Sequence, residues 1–244
     1  MNTKTIKLSA ESEDLLDDAS NYDKNAYAKA SNTADIAILR IHKGELQVLL
    51  GMRKHNPFKG MWGTPGGYVE IGKKEDLNAA ALRELKEETH AEGIPIKQFR
   101  TYGDPDRDPR DRVITTVYYA YVSEENLKDK TIKGGDDIRE TQWFNINKLP
   151  KLAFDHNMIL RELLEQVKHE VLYEPIAFQF LNKHFTWTEL QDVYELLLGR
   201  KLIAPNFRRK VDSMYKIKEL QKKDESSGGR PPAFLRFNGV KSNF

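Results

Sequence analysis

The chain reads as an α+β protein in two parts, a strand-rich first part that includes two helices and a smaller, mainly helical second part. Three observations carry this. Apolar and β-branched runs at residues 34–41, 46–52 and 113–122 are bounded by turn residues, as strands are. Residues 75–90 contain neither Gly nor Pro and hold Ala79, Ala80, Ala81, Leu82 and Leu85, which makes a helix with a small-residue packing face. Beyond Tyr173-Glu174-Pro175 the apolar spacing changes, and two short helical patterns follow in close succession.

Composition narrows the class. At 244 residues the chain is long enough for one large domain or two small ones. Charged residues make up 31% but nearly cancel, to a net +2, so any nucleic-acid argument rests on local clusters of charge. The absence of cysteine excludes disulfides, cysteine-zinc sites and thiol catalysis, and fits a reducing compartment. No run approaches the ~18 apolar residues of a membrane span, and the N-terminus lacks a basic-then-apolar signal. A cytoplasmic protein with no membrane partner is expected.

Residues 1–31 are polar, acidic at 11–18, and read as a lead-in. The strand at 34–41 turns at Lys43-Gly44 into a hairpin partner at 46–52. A basic loop with Asn56-Pro57 and a stretch containing Trp62, Pro65, Gly66 and Gly67 then lead into the helix. There Glu84, Glu87 and Glu88 stand at i, i+3 and i+4, on one face. Three like charges on one surface repel, a cost that a divalent cation turns into a gain, and oxygen-only donors suit Mg²⁺ or Mn²⁺. Arg83 and Glu75 are spaced for an orienting ion pair. A solvated helix face has the same look.

A strand at 94–102 enters a charged loop with Arg107, Arg110 and Arg112, whose two prolines exclude a regular element. Arginine presents a rigid fork suited to phosphate, so the loop is a candidate clamp. Four interleaved aspartates suit an internally paired surface loop equally well. The strand at 113–122, a loop at 133–140 and a strand at 141–144 come next, then a helix at 156–169 capped by Asp155. Its stripe of Ile159, Leu160, Leu163, Leu164 and Val167 belongs to a core or a domain junction.

In the second part Thr186 and Glu189 form a capping box, and the helix they open stops at Gly199. A short link leads to a second helix, capped by Asn206 and carrying Arg208, Arg209 and Lys210 in its first turns. This is a helix-turn-helix with a basic recognition helix, and strands at 217–223 and 233–237 add a wing with Arg230 at its tip. Those four cations are the candidate DNA contacts. The plain alternative is a helical appendage that stabilises the first domain or a dimer.

The run Glu75 … Arg83-Glu84-Leu85-Lys86-Glu87-Glu88 after Gly66-Gly67 resembles the Nudix box. It departs from the box in two places: seven residues rather than five separate Gly67 from Glu75, and His90-Ala91 stands where the box has glycine and an aliphatic. The resemblance implies an α/β/α sandwich about a mixed sheet. It also implies a metal held by Glu84, Glu87 and Glu88 with the Gly67 carbonyl, and a catalytic set of Glu75, Arg83, Glu84, Glu87 and Glu88. The arginine loop is similar to an Arg-Asp-Pro-Arg loop of a Nudix subgroup, which implies ligand contact for Arg107, Arg110 and Arg112. In ADP-ribose-cleaving relatives a late-loop carboxylate helps activate water, which points to Glu140 or to Asp136 and Asp137.

From about Asp35 onward the chain resembles the Nudix-related transcriptional regulators of bacteria. The likeness includes Phe154-Asp155-His156, Tyr173-Glu174-Pro175-Ile176-Ala177-Phe178, Gly199-Arg200-Lys201 and Asn206-Phe207-Arg208-Arg209. It implies a Nudix domain at 32–153, a connecting helix at 154–175 and a winged-helix DNA-binding domain at 176–244. It further implies a homodimeric regulator that binds ADP-ribose or a related nucleotide or sugar phosphate and double-stranded operator DNA, with Mg²⁺-dependent hydrolysis left open. The alternative is an ADP-ribose pyrophosphatase-like hydrolase, converting ADP-ribose to AMP and ribose 5-phosphate, whose C-terminal domain regulates nothing.

Overall fold

The computed structural model describes residue 23 and residues 26–89, 93–127, 138–220 and 233–241, with only the backbone described at Glu88 and Thr89. Met1–Ala30 and Ser31–Phe244 are separate units, and every element below lies in the second.

Among the described residues seven strands form one mixed sheet: β1 (Ser31–His42), β2 (Glu45–Arg53), β3 (Trp62–Gly63), β4 (Gly66–Tyr68), β5 (Ile96–Tyr102), β6 (Val113–Val122) and β7 (Ile138–Asn145). β1 is its spine. One side of β1 pairs in parallel with β6 along almost its whole length; the other is shared by β2 and β4, both antiparallel. Lys43 and Gly44 turn the hairpin with φ of 49° and 74°, the left-handed pair that a two-residue β-turn requires.

Alternation along the strands sorts the core into two layers. Ala34, Ile36, Ile38 and Leu49 cluster with Ala80, Ala81 and Leu85 of α1 (Leu77–Thr89). After the single turn of α2 (Glu124–Leu127), α3 (His156–Glu170) covers the opposite face, where Ala37, Leu39, Val48 and Leu50 meet Leu160, Leu163 and Val167. A sheet buried on both faces is apolar at successive positions, which is why β1 reads as a continuous run. The result is the expected α/β/α sandwich.

The second core layer does not stop at α3. It continues through Ile176, Ala177 and Phe178, in a 3₁₀ turn at Pro175–Gln179, into α4 (Trp187–Leu198), α5 (Ala204–Met214), β8 (Tyr215–Leu220) and β9 (Phe234–Val240). β8 and β9 pair as the hairpin of a winged helix. Within the second part Phe178 is stacked 4.2 Å from Phe237 and edge-on to Tyr215 at 5.1 Å, and Tyr121 of β6 meets Phe180 across the junction at 4.7 Å.

Several boundaries differ from the sequence reading. α1 starts at Leu77 rather than Glu75, because Asp76 Oδ1 accepts the Ala79 N–H while Glu75 is drawn away to Arg83. Asn206 is not the cap of α5: Ile203 holds that position, with Pro205 in the first turn, where a missing N–H costs nothing. Asp155 precedes α3 but makes no capping bond, since its carboxylate serves Arg107. The Thr186–Glu189 capping box and the left-handed Gly199 stop of α4 are both present. The far end of α3 carries a buried carboxylate, Glu170, which accepts from the hydroxyls of Tyr119 and Tyr121 on β6.

Candidate functional site

α1 presents its acidic face beside β4. Arg83 is the organiser: it donates from Nε to Glu75 Oε1 at 2.9 Å, from Nη1 to Glu84 Oε1 at 2.7 Å and to Glu87 Oε2 at 3.4 Å, and from Nη2 to the Tyr68 carbonyl at 3.3 Å. Glu75 also accepts the Glu70 N–H, and the residues between them curl into a 3₁₀ turn at Ile71–Lys73 that takes up the lengthened loop. The Arg83 hydrogen bond holds the Glu75 carboxyl below the ordinary range. Glu84 behaves oppositely: burial pushes it up to about 7, against the hydrogen bond and charge of Arg83.

Glu84 is buried against the glycine turn, where a Cβ on Gly67 would come 2.5 Å from its Oε1. A side chain at Gly67 would push the Glu84 carboxylate aside. Among the described residues no three His, Asp or Glu side chains converge on a common point, because Arg83 lies between Glu84 and Glu87 and the Glu88 side chain is outside the description. The donors present are nonetheless oxygens at the edge of a glycine cradle, which fits a hard divalent ion.

A cavity of ≈170 Å³ opens beside this face, lined by Asp35, Arg53, Thr64, Gly66, Gly67, Tyr68 and, from the arginine loop and the start of α3, Arg107, Arg110, Phe154 and His156. Of the three loop arginines, the fold brings Arg107 and Arg110 to the cavity and leaves Arg112 exposed outside it. Arg107 is buried and bidentate to Asp155. Arg110 is bidentate to Asp108, with its guanidinium 5.4 Å from the Tyr68 ring and 5.7 Å from that of Phe154. Glu140 is exposed on β7 and does not line the cavity; Asp136 and Asp137 lie outside the described residues.

Asp35, Phe154 and His156 are among the cavity residues that sequence reasoning did not place at the site. Asp35 sits mid-strand in an apolar run, 8% exposed, accepting from Thr115 Oγ1 at 2.7 Å. His156, 5% exposed, accepts the Thr64 N–H on Nδ1 at 3.0 Å, and burial lowers its proton affinity against the pull of Asp35 and Asp155. Phe154 holds a left-handed φ of 52° and packs edge-on against Phe58, itself at φ 63°. Strained, non-glycine backbone of this kind clusters at functional sites. The signals in the sequence were a lone aspartate in a buried-type strand and, for the other two, the Phe154-Asp155-His156 run of the regulator likeness.

In the second part, Arg208, Arg209 and Lys210 are exposed on α5, while Phe207 and Val211 turn inward. The Arg208 guanidinium lies 5.4 Å from the Trp187 ring, and Arg209 donates to Asn206 at 3.1 Å. Arg230 lies outside the described residues. No helix among the described residues is long and apolar enough to cross a membrane.

Comparison with known proteins matches residues 31–167 to the NUDIX domain and residues 177–237 to the NrtR DNA-binding winged helix domain. The chain is 30% identical over 218 residues to the ADPR responsive transcriptional repressor NtrR of Acinetobacter baylyi, covering 88% of this chain and 85% of that one. It is 41% identical over 129 residues to an ADP-ribose pyrophosphatase of Methanocaldococcus jannaschii, covering 53% of this chain and 72% of the relative. Shewanella oneidensis NrtR, solved in complex with a 27mer DNA, superposes with a TM-score of 0.69 at 30% identity, over 86% of this chain and 93% of that one.

Proposed function

This chain belongs to the NUDIX domain family, in the NrtR type with a C-terminal winged helix, and from that premise we propose that it is an ADP-ribose-responsive, DNA-binding transcriptional repressor. The observation that carries the reading is the continuity of one apolar core from the sheet beside the arginine-lined cavity to the helix bearing Arg208, Arg209 and Lys210. A cavity and a basic helix built on one core can influence each other. The protein acts as a homodimer, since helix-turn-helix dimers read half-sites about one helical turn apart and a small change of domain angle decides whether both helices dock.

A second reading, hydrolysis of ADP-ribose to AMP and ribose 5-phosphate, draws on the Arg83–Glu75 pair and the Glu84–Gly67 approach. Glu84, Glu87 and Glu88, with the Gly67 carbonyl, would hold Mg²⁺ or Mn²⁺. Such an ion, when bound, supplies Lewis-acid polarisation of a diphosphate. Arg83 for its part orients Glu75 and Glu84 and offsets their mutual repulsion.

The test begins by selecting DNA from a random duplex library with the full-length protein. ADP-ribose is then titrated against the preformed complex with Ca²⁺ in place of Mg²⁺. The expected result is a change in DNA affinity of about 5–150-fold, with DNA changing ADP-ribose affinity by the same factor, since coupling is reciprocal. No effect in either direction, together with AMP release in Mg²⁺, would establish the hydrolase instead.

A further inference from the structure

The floor of the cavity holds two buried polar side chains, His156 and Asp35, that neither the acidic face of α1 nor the arginine loop uses. A backbone N–H can only donate, so the Thr64 N–H at 3.0 Å requires a lone pair on His156 Nδ1. The ring is therefore the neutral tautomer with its proton on Nε2. That Nε2 lies 4.0 Å from Asp35 Oδ2, too far for a hydrogen bond. Asp35 for its part accepts from Thr115, and a carboxylate has room for several more donors.

Both side chains are wedged against glycines. A Cβ on Gly63 would come 2.9 Å from His156 Nδ1, and one on Gly66 would come 2.2 Å from Asp35 Oδ1. A donor and an acceptor thus stand side by side at fixed positions, facing ≈170 Å³ of space. When a ligand fills this space and displaces water from it, each of these polar atoms needs a partner.

Chemistry selects the partner. A phosphate would meet the Asp35 carboxylate as a like charge, and an apolar group would leave both polar atoms unpaired. A hydroxyl satisfies both with one oxygen, accepting from Nε2–H and donating to the carboxylate. The volume is below the ~300–1,000 Å³ of sites that enclose a whole drug-sized ligand, so it takes one ring of a longer molecule.

We propose that His156 is a specificity-determining residue that, together with Asp35, reads a ribose hydroxyl of the ligand. This rests on the reading of the cavity as an ADP-ribose site, and adds which atoms recognise the sugar. The Arg53, Arg107 and Arg110 side chains lining the same cavity face the charged remainder of the molecule.

The test is calorimetry on the full-length protein in Ca²⁺, with ADP-ribose and its monodeoxy analogues, each lacking one ribose hydroxyl. His156→Asn keeps an amide oxygen near Nδ1 and loses the Nε2 donor; His156→Gln places an amide N–H near Nε2. We expect His156→Asn to weaken ADP-ribose about tenfold and His156→Gln to weaken it less, as the loss of one neutral hydrogen bond dictates. One monodeoxy analogue should bind the parent correspondingly more weakly, yet bind His156→Asn no more weakly than ADP-ribose does. A folded His156→Asn that binds ADP-ribose like the parent, or that weakens every analogue equally, overturns the proposal. If that variant does not fold, Asp35→Asn is titrated with the same analogues and the same criterion. Failure of the parent to bind ADP-ribose at all overturns the functional reading, and this inference with it.

Discussion

Arg107 grips Asp155 through two parallel hydrogen bonds, Nε to Oδ2 at 3.0 Å and Nη2 to Oδ1 at 2.9 Å, with the side chains only 4% and 15% exposed. The pair ties the arginine loop to the residue directly before α3. Removing one partner of a buried pair strands the other charge, so Asp155→Ala should lower the unfolding free energy by roughly 3–5 kcal/mol. Replacing both by apolar residues of similar volume should cost far less. Urea unfolding of the two variants measures the difference, and equal losses would show that the pair is not what matters there.

Glu84 makes the stability of the metal-free protein depend on pH. Burial raises its folded pKa to about 7, above its unfolded value, so the folded state binds more protons across that interval. Stability contributed through Glu84 is therefore greatest below the unfolded pKa and declines as pH rises to about 7. Glu84→Gln should remove this decline. Urea midpoints of parent and variant between about pH 4 and about pH 8, which bracket the ordinary Glu value and the raised one, give the comparison.

The metal assignment has its own check. Glu87→Gln combined with Glu88→Gln should abolish Mn²⁺ binding in calorimetry while leaving the Arg83–Glu75 pair intact. Unchanged affinity would remove both carboxylates from the ion's surroundings.

On the DNA side, each lost phosphate contact should weaken binding across all sequences and lower the salt slope by about one unit. Arg208→Ala and Arg209→Ala are the informative variants. An arginine that reads a base edge should also relax sequence preference, at roughly 1–3 kcal/mol for that position. Parent-like affinity in both variants at every salt concentration would move the DNA surface off α5.

Local chemistry written into the sequence determined a good deal. The helix that carries Glu84 and Glu87, the Thr186–Glu189 capping box, the Gly199 stop and the β1–β2 turn are all properties of residues within a few positions of one another, and such properties survive translation into structure. The two-part architecture followed from the same kind of signal. So did the exposure of Arg208, Arg209 and Lys210 beside the inward-facing Phe207 and Val211, since helical periodicity alone separates the two faces.

What tertiary structure decided is how distant side chains share partners. Three arginines in one loop are alike in sequence, but only packing against α3 gives Arg107 to Asp155, 48 positions away, and leaves Arg112 outside the cavity. Asp155 and Asn206 have good capping chemistry, yet Asp155 holds the cap position of α3 without a side-chain capping bond, because a buried guanidinium takes its carboxylate, and Pro205 shifts the start of α5 ahead of Asn206. The meeting of His156 with Thr64 and Asp35 is the furthest from any local signal. It depends on the order of strands in the sheet, which sets β4 against the first half of β1 and the start of α3 over both, and no periodicity in the chain encodes that arrangement.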